Sequence, residues 1–278
     1  MVKVPLCLPV AGSAGFGALL QTPALTSSLA AVVCGVFFLA CGAAGGNSLQ
    51  EAASDGLFLR TRNRPMPTGQ LNRRQAAWLS GLLGLIGLAT LLFSGQDRQP
   101  LALGVIALLL YNGLYTPLKK TTVFALFPGG LAGAIPPLIG WTAAGGSWDD
   151  SHAWLLASLF FLWQIPHYCL ILLHHQEDYR QAALPALIRL LPEQSLKGIT
   201  LVWTLALAAG ALALTLDQGL APLARLCLTL FSVLLSVFFW PLLLRRQSPD
   251  YRLLFRVFNS AFFLTLLLVS LFQVAAAR

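Results

Sequence analysis

Nine apolar stretches, each about as long as a bilayer is thick, dominate this chain and leave little polar sequence between them. A helix needs about 20 apolar residues to cross the hydrocarbon core. The spans 4–21, 25–46, 75–94, 99–116, 122–143, 151–173, 197–216, 220–243 and 254–276 are of that order. Charged residues make up 10% of the chain and hydrophobic ones 57%, where an ordinary soluble domain is roughly 25% charged. Such a composition cannot cover a water-facing surface. The chain therefore reads as all-α, a single polytopic domain over 1–278 whose solvent is the lipid bilayer. The first span follows Met1-Val2-Lys3 without a small-residue cleavage site before the next span, so it is expected to be retained.

Charge placement supports nine crossings. With nine spans, all but Arg98, Arg225 and Arg278 of the 18 basic side chains fall on the side of the N-terminus. The positive-inside rule makes that side cytoplasmic. The net charge of +8 is accounted for by topology and a phosphate site, and no aromatic–basic interleaving points to nucleic acid. The cysteines Cys7, Cys34, Cys41, Cys169 and Cys227 form no Cys-x-x-Cys pair and are expected to be buried free thiols. The runs Gly42–Gly46 and Gly129–Gly133 are expected to let helices approach closely.

Polar chemistry collects in two loops, 47–74 and 174–197, four helices apart, which suggests two similar helical halves. In the first loop Asn47, Glu51 and Asp55 are spaced by four. On a helix they recur with about 40° of drift and roughly 6 Å of rise per step. Oxygen ligands in that pattern suit a hard divalent cation. Just beyond, Arg60 and Arg64 can grip phosphate oxygens in bidentate fashion. The alternative is a polar helix end surfacing into water with its acids paired to arginines. Metal-holding acids beside phosphate-holding arginines at a membrane face point instead to an enzyme acting on a lipid diphosphate.

Two further constellations stand out. Tyr111 and Tyr115 share a helix face ahead of Lys119 and Lys120. They are either interfacial tyrosines with snorkelling lysines or additional phosphate contacts. Within the sixth span, Trp163-Gln164-Ile165-Pro166-His167 places polar groups where they need partners or a function. Pro166 frees a backbone carbonyl, and His167 is either hydrogen-bonded locally or open to an iron or a substrate. His174, His175, Glu177 and Asp178 follow. Adjacent histidines point different ways on a helix, so Asp178 is the better metal-bridging candidate.

These segments, together with Gly129-Gly130-x2-Gly133-Ala134-x-Pro136-Pro137-x-Ile139-Gly140-Trp141 and Asp178-Tyr179-Arg180, resemble the UbiA-type intramembrane prenyltransferases. The Pro-Pro-x-Ile-Gly-Trp and Trp-Gln-x-Pro-His segments resemble the haem O synthase branch. The resemblance implies a nine-helix bundle around a central cavity in a bacterial inner membrane, its mouth facing the cytoplasm. It implies a prenyl diphosphate held through Mg²⁺ by Asn47, Glu51, Asp55 and Asp178. Arg60, Arg64, Lys119 and Lys120 would neutralise the leaving diphosphate. Tyr111, Tyr115, Trp163, Gln164 and His167 would line the substrates, haem being substrate and not cofactor. Haem-handling or terminal oxidase assembly proteins would be partners. Glu51 stands where the family has Asp, and Ala125, Ala183 and Ala186 also depart from its pattern. A prenyltransferase for a quinone precursor is the nearest alternative within the superfamily. A transporter would need polar groups threading the whole membrane, and here they gather at one face.

Overall fold

The computed structural model describes residues 2–52, 63–181, 187–244 and 249–278. Among them are nine helices long and apolar enough to cross a membrane. We number them α1 (Val4–Gln21), α2 (Ser27–Gln50), α3 (Arg73–Leu92), α4 (Gln99–Leu118), α5 (Val123–Ala143), α6 (Ser151–His174), α7 (Glu193–Leu214), α8 (Pro222–Leu244) and α9 (Tyr251–Ala276). Each expected span coincides with one helix to within four residues at either end. The largest differences lie at the C-terminal end of α2 and the N-terminal end of α7. Charged and polar residues continue those helices past the point where the apolar run stops.

Helix starts follow capping chemistry. Thr26 accepts from the Leu29 amide at the start of α2. Asn72 and Gln75 form a reciprocal capping box that opens α3. Asp150 caps α6 through the His152 amide, and Asp250 caps α9 through the amides of Arg252 and Leu253. Between them, side chains such as Leu85, Leu109, Val202 and Leu234 point outward, and their exposure is the lipid-facing surface a membrane helix needs.

The chain divides into two compact units, Met1–Trp148 and Asp149–Arg278. In the first, α2 packs on α1 and α3, α1 packs on α5, and α5 packs on α4. Glycine governs how closely these helices approach. A methyl group at Gly42 would stand 2.5 Å from the Gly84 nitrogen, and one at Gly87 would stand 2.5 Å from the Leu39 nitrogen. At the α1–α5 contact, Gly17 and Gly140 lie directly against the carbonyls of Pro137 and Ala14, leaving no room for a side chain. The second unit is a four-helix arrangement in which each of α6, α7, α8 and α9 packs on two of the others, in the cyclic order of the chain.

The cysteines are free, as expected, but not uniformly buried: Cys34 is exposed and Cys227 only partly covered. Within an apolar helix an exposed thiol faces lipid and behaves as a small hydrophobe there too. Lys197, counted in the sequence among loop cations, is 1% exposed inside the first turns of α7. Its Nζ lies 3.3 Å from Glu193, which also accepts a 2.5 Å hydrogen bond from the Tyr251 hydroxyl. The neutralised pair lets α7 begin a full turn before its apolar run.

Candidate active site

In the first unit the polar ends of α2 and α4 meet, and proline chemistry explains how. Residues Leu109–Tyr115 of α4 form a π-helical segment in which the Thr116 amide donates to the Tyr111 carbonyl, five residues back. That register would assign the Asn112 carbonyl to the amide of residue 117, but Pro117 has none. Gln50 Nε2, the last residue of α2, donates to that orphaned carbonyl at 3.0 Å. Asn112 Nδ2 in turn donates to the Ala43 carbonyl at 2.9 Å, passing close to Gly46. The wider π turn thus stitches α4 to the end of α2 beside the expected ligands.

Around that stitch Asn47, Glu51, Tyr111, Tyr115, Lys119 and Lys120 come together. Glu51 is the C-cap of α2, and its amide bonds back to the Asn47 carbonyl, so the first step of the four-residue spacing is helical. The Glu51 carboxylate pairs with Lys119 Nζ at 2.5 Å, both side chains being largely covered. Glutamate's longer arm makes this reach. Lys119 Nζ also sits 4.9 Å over the Tyr115 ring, which is 5.4 Å from the ring of Tyr111. Lys120 Nζ donates to the Gln50 carbonyl at 2.8 Å, a cation placed at a helix C-terminus. Gly129 lies against the Tyr115 ring, where an added methyl would come within 2.9 Å. Arg64 is partly buried in the turn before α3. Asp55 and Arg60, with Ala183 and Ala186, lie outside the described residues.

Asn47 is 1% exposed, and its Nδ2 has no hydrogen-bond partner among the described residues. A buried orphan donor costs about 1–3 kcal/mol, so such a group needs a reason. Its planar carboxamide, one turn from the Glu51 carboxylate, can offer N–H to a phosphate oxygen or, turned over, C=O to a cation. The side-chain oxygens of Asn47 and Glu51 are hard donors of the kind Mg²⁺ takes. No group of three His, Cys, Asp or Glu side chains suited to a metal occurs among the described residues.

In the second unit the expected residues divide between two places. Trp163, Gln164 and His167 lie within α6, which runs as α-helix through Pro166. The Trp163 ring stacks on Phe262 at 5.1 Å and meets the His167 ring at 4.7 Å, while Phe255 closes on His167 from α9 at 5.1 Å. Gln164 is half-buried. Asp178 stands in a short helix, Gln176–Gln181, with its side chain 59% exposed and one oxygen 3.6 Å from His175 Nδ1. The rings of His174 and His175 do not diverge as a continuous helix would make them. His175 caps α6 with non-helical torsions, and the two rings sit 4.3 Å apart.

Gln50 and Asn259 were not among the expected site residues. Pro117, five residues after Asn112, is the signal that could have found Gln50. Asn259 bonds to His167 across 92 residues of sequence, and nothing local marks that pairing.

An acid–lysine clamp and a buried carboxamide thus stand together at the end of an apolar helix. The sequence pattern of the UbiA prenyltransferase family matches residues 8–271. The chain belongs to that family. It is an integral membrane prenyltransferase. Among curated relatives of this UbiA-family chain, the protoheme IX farnesyltransferase of Nitratidesulfovibrio vulgaris (strain DP4) is 36% identical over 212 residues, covering 76% of this chain and 74% of its own. That of Geobacter sulfurreducens is 39% identical over 210 residues, 74% of this chain and 76% of its own. A UbiA homolog from Aeropyrum pernix K1 superposes with a TM-score of 0.78 at 18% identity over the whole of both chains. A UbiA homolog from Archaeoglobus fulgidus bound to GPP and Mg²⁺ gives 0.65 at 15% identity, over 97% of this chain and 95% of that one. At those identities the structures establish the shared fold.

Proposed function

We propose that this prenyltransferase moves the farnesyl group of farnesyl diphosphate onto a vinyl carbon of protohaem IX. The observation that carries the reading is the meeting of Asn47, Glu51, Lys119 and Lys120 at the joined ends of α2 and α4. The names of relatives at 36% and 39% identity support the acceptor.

Asn47, Glu51 and Asp55 would hold Mg²⁺, which when bound withdraws charge from the diphosphate and eases departure of the leaving group. Lys119, held now against Glu51, would meet the phosphate oxygens together with Lys120 beside it, and Arg60 and Arg64 would add further positive charge. Their charge stabilises the diphosphate as the allylic C–O bond breaks. Tyr111 and Tyr115 present ring faces to the developing allylic cation. The vinyl π electrons then form the new C–C bond, water adds its oxygen to the resulting carbocation, and a proton leaves. The products are a hydroxyfarnesylated haem and diphosphate. His167 and Trp163 would belong to the acceptor half. The basic loops face the cytoplasm of a bacterial inner membrane.

The test is to incubate membranes containing the protein with protohaem, farnesyl diphosphate and Mg²⁺ and to analyse the haem fraction by mass spectrometry. Hydroxyfarnesylated haem is expected. Prenylation of a hydroxybenzoate with untouched protohaem would contradict the acceptor.

A further inference from the structure

His167 has a polar partner in the second unit that fixes its chemistry. Its Nδ1 lies 2.8 Å from Asn259 Oδ1. Asn259 Nδ2 donates at 2.6 Å to the carbonyl of Phe255, one turn earlier on α9. A carbonyl only accepts, so it must face the amide nitrogen; turning the carboxamide over would set two acceptor oxygens against each other. The Phe255 carbonyl therefore locks Oδ1 toward the imidazole. An acceptor-only oxygen at that distance requires a proton on Nδ1. A doubly protonated ring would be a cation inside a membrane span with no acid beside it among the described residues. The ring is thus the neutral Nδ1–H tautomer, and its lone pair is on Nε2. Trp163 and Phe255, with centroids 4.7 and 5.1 Å away, hold the plane of that ring.

An imidazole that donates from one nitrogen to a fixed oxygen and keeps the other bare has the arrangement of a metal-ligating histidine with its supporting partner. We propose that Asn259 is a positioning residue: acting through His167, it readies Nε2 to bind the iron of the metalloporphyrin acceptor. This rests on the haem reading above and extends it to a residue that touches neither substrate. The Phe255 carbonyl, Asn259 and His167 form a relay that sets ligand orientation and basicity before the acceptor arrives.

The experiment uses the full-length protein in lipid nanodiscs, titrated with protohaem and followed by Soret absorption and by the iron–histidine stretch of the ferrous form. The native protein is expected to bind saturably with a histidine-ligated spectrum, and His167→Ala to lose that signature. Asn259→Leu should weaken binding by about 10–100-fold and lower the iron–histidine frequency, because Nδ1–H loses its acceptor. Asn259→Asp, which as a neutral carboxyl can keep both bonds, should restore the affinity and the frequency. Binding of farnesyl diphosphate, measured in parallel, reports whether each variant is folded. An Asn259→Leu protein with native affinity and frequency overturns the inference, and so does a His167→Ala protein that keeps the histidine signature. If either occurs while native membranes still make hydroxyfarnesylated haem, the inference alone fails. If no haem product forms, the acceptor reading fails with it.

Discussion

The joined ends of α2 and α4 and the aromatic face of α6 and α9 solve opposite problems with opposite means. The first gathers formal charge: Glu51 answers Lys119, Lys120 answers a helix C-terminus, and a glutamine repairs the carbonyl that Pro117 orphans. The second holds a single uncharged polar couple, His167 with Asn259, among Trp163, Phe255 and Phe262. Charge suits a diphosphate and its counter-ion. An aromatic setting with one bare nitrogen suits a flat, largely apolar acceptor. On the proposed reading, one substrate would be held by electrostatics and the other by surface and a single directed ligand.

The sharpest way to break that contrast is Asp55→Asn. Transfer should fall at least about a hundredfold, as for loss of one preorganised charge contact, while the Soret titration with protohaem stays native. Steady-state product formation and haem binding on the same sample check both halves. Lys119→Ala comes next. It removes a cation together with the Lys119–Glu51 ion pair, so kcat/KM for farnesyl diphosphate should drop about a hundredfold. Lys119→Arg should recover part of this, since guanidinium keeps the charge with a different fork geometry. An unchanged kcat/KM for Lys119→Ala would assign the lysine to anchoring alone.

A third variant separates chemistry from architecture. Gln50→Leu removes the donor to the Asn112 carbonyl, with a cost of about 0.5–1.5 kcal/mol. Thermal unfolding in detergent should move down, with activity changed only a few-fold. Equal loss of activity and unchanged stability would instead place Gln50 at the substrate. Smallest of all, Cys34→Ala on the lipid-facing side of α2 should shift stability by no more than about 0.5 kcal/mol and leave turnover intact.

Most of the helical layout was legible from hydropathy because the bilayer demands one length and tolerates little charge. The misses occurred where side chains neutralise each other. Glu193, Lys197 and Tyr251 form a polar group, its lysine and tyrosine buried, that a hydropathy reading places at a loop. The four-residue spacing found Asn47 and Glu51, since both fall on one helical face. It could not reveal that Lys119 comes to Glu51, nor that α4 changes to π register to bring Gln50 and Asn112 together. Asn259 was illegible for a simpler reason: its meaning lies wholly in a partner on another helix.

The most direct test of two separate substrate halves is a crossed binding measurement. A non-hydrolysable farnesyl thiodiphosphate, with Mg²⁺, and protohaem are each titrated into Glu51→Gln and into His167→Ala. Glu51→Gln should weaken only the farnesyl ligand, and His167→Ala only protohaem. If both substitutions weaken the same ligand and spare the other, charge and aromatic surface do not divide the substrates between them, and the account is contradicted.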